Sequence, residues 1–484
     1  MLALEQFKMS LLRSLVRGGL FFLQRCRSYG AKKMAGRIFI YGVGFLCVIC
    51  VGCIKMPPAR GPVIWLRTRR TAMTRFLIYL FPALADVIIA AAMFVCSNRL
   101  ADAGRSGTEV AAVFIAWAVM YVVTNQILAK LVTSHNAAAL LIVANLLFSA
   151  TAGAFVLFDG IWEIYAIMGV LSVASALFFL PFQVFMKAVE PDQHQGVVRS
   201  AAIYIFAWSM GYAAGPFVAG FIYQWLGWQW CFALTGTLGL LTAGGVQLLK
   251  HHAKHHHAEA IAPSQARSGR GGREVEAVNY HAMDDLAWLG WVIGGAGVLG
   301  LYLFLVLLPS VGVTFAMPKS QVGSIVALLY FVQASVGLGL LRSRTWMFRL
   351  GPRTAFAAFG ILGLAGFGVS LLPALDGIEI FAMPLRTLGL YASVVCYGVF
   401  SGSFFFGLVF HALVHPRRSA RYVAINETVV GLGGVAGPVL VGTLADRFNS
   451  AVPAATLIAI VACAAILQIV MLRKRSQDSG VRIQ

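Results

Sequence analysis

Charged side chains are scarce in this sequence. Asp, Glu, Lys and Arg make up 12% of its 484 residues, about half the share of a soluble domain. So few charges cannot cover the surface of a soluble fold this long, which excludes a soluble enzyme. Acidic residues are scarcer still, 18 against 38 basic ones, for a net charge of +20. With 59% hydrophobic residues and a mean hydropathy of +0.81, that excess is not the footprint of a nucleic-acid or disordered protein. It reads as the positive-inside signal of a multi-spanning membrane protein. The sequence also lacks a G-x-x-x-x-G-K-[ST] phosphate loop, an H-E-x-x-H zinc site and a G-x-S-x-G nucleophile turn within a soluble sheet. Neither ATP-driven work nor these catalytic chemistries is expected, and no enzyme activity or cofactor.

The 8 cysteines make no disulfide framework. Cys96, Cys231, Cys396 and Cys463 stand singly in or beside apolar runs, as small apolar residues. Cys47, Cys50 and Cys53 are spaced by three in another apolar run, without the His or further Cys a metal would need. His251, His252 and His255–His257 resemble a metal tract by composition. A tether lying near anionic lipid is the simpler reading, so no metal is expected.

What the chain does have is long apolar runs. A helix crosses a bilayer in about 20 residues, and runs of that length cover 74–97, 109–130, 136–158, 163–187, 199–223, 228–249, 286–310, 320–341, 354–375, 387–413, 420–444 and 450–472. The expected fold is an all-α polytopic membrane protein of two six-helix bundles, 74–249 and 286–472. A polar central loop, 250–285, joins them, and a tail, 473–484, follows. With the start of the first span in the cytoplasm, inside segments carry 23 Lys and Arg, among them Lys130, Arg199, Arg353 and Arg421. Outside loops carry 5: Arg99, Arg105, Lys319, Arg386 and Arg447. The asymmetry places the C-terminus in the cytoplasm, in the inner membrane if the cell is bacterial.

Two spans repeat each other. The fifth reads Arg199-SAAIYIFAWSMGYAAGP-FVAG and the eleventh Arg421-YVAINETVVGLGGVAGP-VLVG. One offset of 222 aligns Gly211, Gly215, Pro216 and Gly220 with Gly433, Gly437, Pro438 and Gly442. Gly at i and i+4 clears a helix face so that another backbone can come close. The adjacent Pro removes a donor and bends the helix. One such stripe would mean tight packing; two in register argue for duplicated halves and a moving contact.

On these residues, with the 6+6 layout and basic central loop, the chain resembles the major facilitator superfamily over about 74–472. GYAAGPFVAG is similar to the family's glycine-proline motif, which is associated with proton-coupled exporters. The resemblance implies a secondary transporter that moves a small solute by alternating access. It departs from the family after spans two and eight, where a Gly-x-Leu-Ala-Asp-Arg-x-Gly-Arg-Arg loop is usual. The first loop reads Gln126-ILAKLVTSH, with Lys130 at the acid's place, and the second, Leu341-RSRTWMFRLGPR, also has no Asp. The family's cytoplasmic latch is therefore absent in its usual form.

Two acids lie inside spans. Asp86 sits mid-way along the first, where a carboxylate costs about 2.5–3.5 kcal/mol. Such residues face a bundle interior or watery cavity, and low dielectric favours the protonated carboxyl. Asp86 is therefore a candidate for proton coupling or for a substrate cation, against a carboxyl merely bonded to a neighbouring helix. Glu427 follows Arg421 by six residues, about 9 Å along the helix. It stands as a helix-end carboxylate or as the partner of Arg421 or Lys130; a Lys130–Glu427 pair would be a charge-swapped gate. Asn125, Gln126, Asn145, Gln183, Trp208, Tyr330, Gln333 and Tyr397 are candidates to line a cavity, each also able to serve as a helix–helix hydrogen bond.

The expected function is proton-coupled export of a drug-like or metabolic compound. Import of a sugar, nucleoside or similar nutrient is the alternative, and a non-transporting scaffold or sensor the second. Expected partners are a small solute, protons and the bilayer, with no nucleic acid and a monomeric chain. Residues 1–73 resist the charge rule: the apolar run Ile38–Ile54, if it spanned, would put eight basic residues outside. The run is read as lying in the cytoplasmic interface, or the segment as a dispensable extension before a true start at Met56 or Met73; the second reading is preferred. Deleting 1–72 should therefore leave a protein that inserts and folds, as judged by membrane fractionation and size-exclusion profile; loss of insertion would show that the segment is integral.

Overall fold

Hydrocarbon offers the backbone no water, so each spanning segment has to close its hydrogen bonds within itself. The sequence does this with helices throughout. The computed structural model describes residues 62–128, 130–133, 135–189, 197–257, 286–340, 346–380, 383–414 and 419–478. The Ile38–Ile54 run with its three cysteines, most of the central loop, and the side chains of Gln183, Arg199 and Arg421 lie outside the described residues. The chain divides into two units, 1–77 and 78–484. In the first, residues 62–77 are helical; the second holds all the packing described below.

The helices are α1 (Pro62–Asp102), α2 (Gly107–Leu128), α3 (Ala137–Leu157), α4 (Ile161–Val189), α5 (Val197–Leu226) and α6 (Trp228–His257), then α7 (Ala287–Thr314), α8 (Lys319–Gly339), α9 (Leu350–Ser370), α10 (Leu385–Val414), α11 (Ser419–Arg447) and α12 (Val452–Asp478). Each contains a stretch long and apolar enough to cross a membrane. Several helices outrun the apolar runs, three of them by six residues or more at one end. α1 begins at Pro62 rather than 74, α6 continues to His257 rather than stopping at 249, and α12 continues to Asp478 rather than 472. Lys or Arg, both good helix formers, occurs in all three extensions, although the five histidines of the α6 extension are weaker ones. A two-residue hairpin, β1 (Glu379–Ile380) with β2 (Met383–Pro384), sits in the loop after α9 and was not expected. Turns use glycine where the backbone goes left-handed: Gly104 (φ 67°) stops α1, and Gly227 (φ 97°) reverses the chain between α5 and α6.

The loops after odd-numbered helices define one end of the bundle, the odd-loop end, and the others the even-loop end. Between them the repeated glycines make matching contacts. A Cβ placed on Gly211 would meet the Asp86 Cβ at 2.6 Å, and one on Gly433 the Val298 Cγ1 at 2.6 Å. Gly215 likewise faces Ala90, and Gly437 faces Tyr302. Asp86 and Val298 are 212 positions apart, as are Ala90 and Tyr302. So α5 lies on α1 as α11 lies on α7. The third pair crosses between halves: Gly220 faces the Lys319 carbonyl of α8 and Gly442 the Gly107 carbonyl of α2, at 2.6 and 2.8 Å from a Cβ. Lys319 and Gly107 are again 212 apart.

Pro82, Pro181, Pro216, Pro309 and Pro438 lie inside helices. Each lacks a backbone N–H donor and so leaves one carbonyl of its helix without its usual partner. Gly437→Leu would put a branched side chain where a bare Cβ already meets the Tyr302 ring at 2.7 Å. Overpacking of this kind costs about 1–3 kcal/mol; the variant's thermal unfolding midpoint in detergent should fall, and an unchanged midpoint would show a slack interface.

Candidate functional site

Asp86 is 2% exposed, on the face of α1 that meets α5. Its Oδ2 has no hydrogen-bond partner, and no cation pairs with it among the described residues. Three tyrosines lie within electrostatic range of it. Its charge reaches the hydroxyls of Tyr121 on α2, Tyr212 on α5 and Tyr330 on α8. Tyr302 of α7 lies within the same electrostatic reach of Tyr212 and Tyr330. The Tyr212 and Tyr330 rings are 5.1 Å apart. Trp117 stacks on Tyr121 at 4.8 Å, and Trp208 packs edge-on against Phe405 at 5.0 Å. Two of the four tyrosines come from each half, so the acid stands where the halves meet.

The predicted polar candidates have different surroundings. Asn125 lies beside the Tyr121 hydroxyl, Tyr330 lies in the cluster, and Trp208 borders it by its edge-on contact with Tyr212 at 6.0 Å. Gln333 links the halves: its Nε2 donates to Ser209 Oγ of α5 at 2.8 Å, while the Ser401 hydroxyl of α10 donates to its Oε1. Asn145 donates to Leu141 of its own helix at 2.7 Å, and the Tyr397 hydroxyl donates to the Gly297 carbonyl inside the second half. These two serve packing within a half. Gln126 is exposed.

Glu427 is exposed, yet its charge reaches Tyr121. It shares a face of α11 with Gly431 and Gly434, which meet Val122 and Ala118 of α2. Glu427 stands one turn nearer the even-loop end than Gly431, on the seam between halves. No ion pair joins it to Lys130, which is exposed. The charge-swapped gate drawn from the sequence is therefore not formed in this state. The Lys130 side chain lies past the end of α2, and nothing draws it back to the seam.

At the odd-loop end, three polar ties join the halves among the described residues. Asp446 at the end of α11 accepts from the Gly107 and Thr108 backbone N–H groups at 2.7 and 2.8 Å, capping α2 of the other half. Gln224 at the end of α5 accepts from the Ser320 N–H at 3.1 Å and from its hydroxyl, capping α8. Gln224 and Asp446 are 222 positions apart, the same offset as the glycine stripes. A third tie is the Lys319 Nζ to Asp102 pair at 2.5 Å, with Tyr223 donating to the same carboxylate at 2.9 Å. Between these ties and Asp86 the interior narrows to a nearly apolar cavity of about 30 Å³, bounded by Phe94, Tyr212, Pro216 and Tyr330. The sequence carried a signal for the Asp446 clasp that went unused. Gly442-Thr-Leu-Ala-Asp446-Arg447 has the Gly-x-Leu-Ala-Asp-Arg pattern missing from the loops after α2 and α8.

The profile described as Major Facilitator Superfamily matches residues 71–411. No curated protein matches the chain.

Asp446→Ala removes a carboxylate from two amide donors at a helix N-terminus. Spin labels at Ala103 and Asn449 should report a several-fold larger population of long distances in that variant; an unchanged distance distribution would show that the clasp does not hold this end together.

Proposed function

The chain belongs to the Major Facilitator Superfamily, and we propose that this membrane transporter exports a drug-like or metabolic compound in exchange for protons. The observation that carries the reading is Asp86: a carboxyl 2% exposed, without a cation among the described residues, within electrostatic range of tyrosines from both halves. A flat or cationic solute gains from such faces by stacking and by cation–π attraction, about 0.5–2 kcal/mol each. A proton on Asp86 removes the cost of a bare charge in that setting. Charge distribution supports a cytoplasmic even-loop end, and the clasps hold the odd-loop end closed. The solute then enters from the cytoplasm as Asp86 gives up its proton. After the halves rock about the glycine stripes, a proton from outside returns to Asp86 and the solute leaves.

One feature favours a second reading, a scaffold or sensor that moves nothing: Lys130 stands where the family's latch acid is expected. A thermal-shift screen of the purified protein with aromatic drug-like compounds and nutrients, at two pH values, selects probes. In proteoliposomes, wild-type protein should accumulate a stabilising compound against its gradient when a pH gradient is imposed. Asp86→Asn should abolish that accumulation while leaving counterflow exchange. Gradient-driven accumulation unchanged in the variant would remove Asp86 from proton coupling, and no gradient-driven movement by wild-type protein would leave the scaffold reading standing.

A further inference from the structure

A second charge is buried in the bundle, far along the sequence from Asp86 and in the other half. Arg353 lies in the first turn of α9 and is 7% exposed. Its Nη1 has no hydrogen-bond partner, and no carboxylate pairs with it among the described residues. Beside it, Trp346 in the short 3₁₀ turn between α8 and α9 is also 7% exposed, and its indole N–H is unpartnered too. Both line one cavity of about 30 Å³ among α7, α9, α10 and α12, with Ser403, His411 and Gln468. No Asp or Glu lines it. The Ser403 hydroxyl is committed to the Phe400 carbonyl at 2.6 Å.

A guanidinium buried without a counter-charge costs several kcal/mol. Two or so waters would fit the space and accept from both donors, but they would leave the charge uncompensated. An anion satisfies the donors and the charge together, and the positive end of α9 adds to the attraction. Arg353 also lacks the alternative that long cations at span ends usually take, since its head does not reach the aqueous edge. The geometry points to a compact anion, of the size of chloride or of one phosphate group, held in this cavity by Arg353 and Trp346. Because Trp346 belongs to an even-numbered loop, the cavity is served from the even-loop end, by free ions or by a lipid headgroup.

The test uses the full chain in detergent in a gluconate buffer, titrated separately with sodium chloride, inorganic phosphate and phosphatidylglycerol in mixed micelles. At least one probe should raise the unfolding midpoint saturably at constant ionic strength. Arg353→Gln should lose that rise, and Trp346→Phe, which keeps the guanidinium but loses one donor to the anion, should need roughly tenfold more of the probe. A response to chloride or phosphate assigns a free anion; a response to phosphatidylglycerol alone assigns a headgroup. Should Arg353→Gln fail to fold, the Trp346→Phe titration still decides. An equal response in wild-type protein and in either folded variant, or no saturable response to any of the three probes, overturns the proposal.

Discussion

Helices surrounded by lipid gain little by burying apolar side chains against one another, because the lipid is as apolar as they are. Contact has to come from shape, and here the shape is supplied by glycine. Gly211, Gly215 and Gly220 on α5, and Gly433, Gly437 and Gly442 on α11, let those two helices lie against α1, α7, α8 and α2 at distances a Cβ would forbid. The outermost pair reaches across to the opposite half. Each half therefore rests on the other along two long seams, α5 on α8 and α11 on α2. Packed seams of this kind have discrete arrangements and do not deform continuously.

Much of this was legible beforehand because it rests on local pattern. Twelve apolar runs gave twelve helices, and the 222-residue offset between spans five and eleven anticipated equivalent contacts. Asp86 stood out because a mid-span acid has no cheap explanation, and the structure leaves it buried without a cation. Other features depend on where chains distant in sequence come together. The tyrosine cluster draws Tyr121, Tyr212, Tyr302 and Tyr330 from four helices, and no one span marks them as a set. Helix ends were not legible because hydropathy locates the lipid boundary, whereas α1, α6 and α12 continue into polar residues beyond it. Of the readings open for Glu427, the pair with Lys130 is not formed in this state: both charges lie near one seam in sequence terms, but the Lys130 side chain lies beyond the end of α2.

The interior charges divide between the halves. Asp86 belongs to the first, and its repeat position in the second is Val298; Arg353 belongs to the second, in the loop-to-helix turn after α8. After duplication the contacts that shape the seams stayed symmetric while the chemistry did not. The clasps show the same divergence on a smaller scale. Gln224 and Asp446 cap opposite helices from equivalent positions, one neutral and one charged.

Alternation about these seams is the claim on which the transport reading stands. The most direct measurement joins the clasp covalently: Thr108→Cys with Asp446→Cys, bridged by a short bifunctional thiol reagent that reduction cleaves, followed by solute exchange in proteoliposomes. The account predicts that exchange stops when the bridge forms and returns when it is cleaved. Exchange at the full rate with the bridge intact would contradict it.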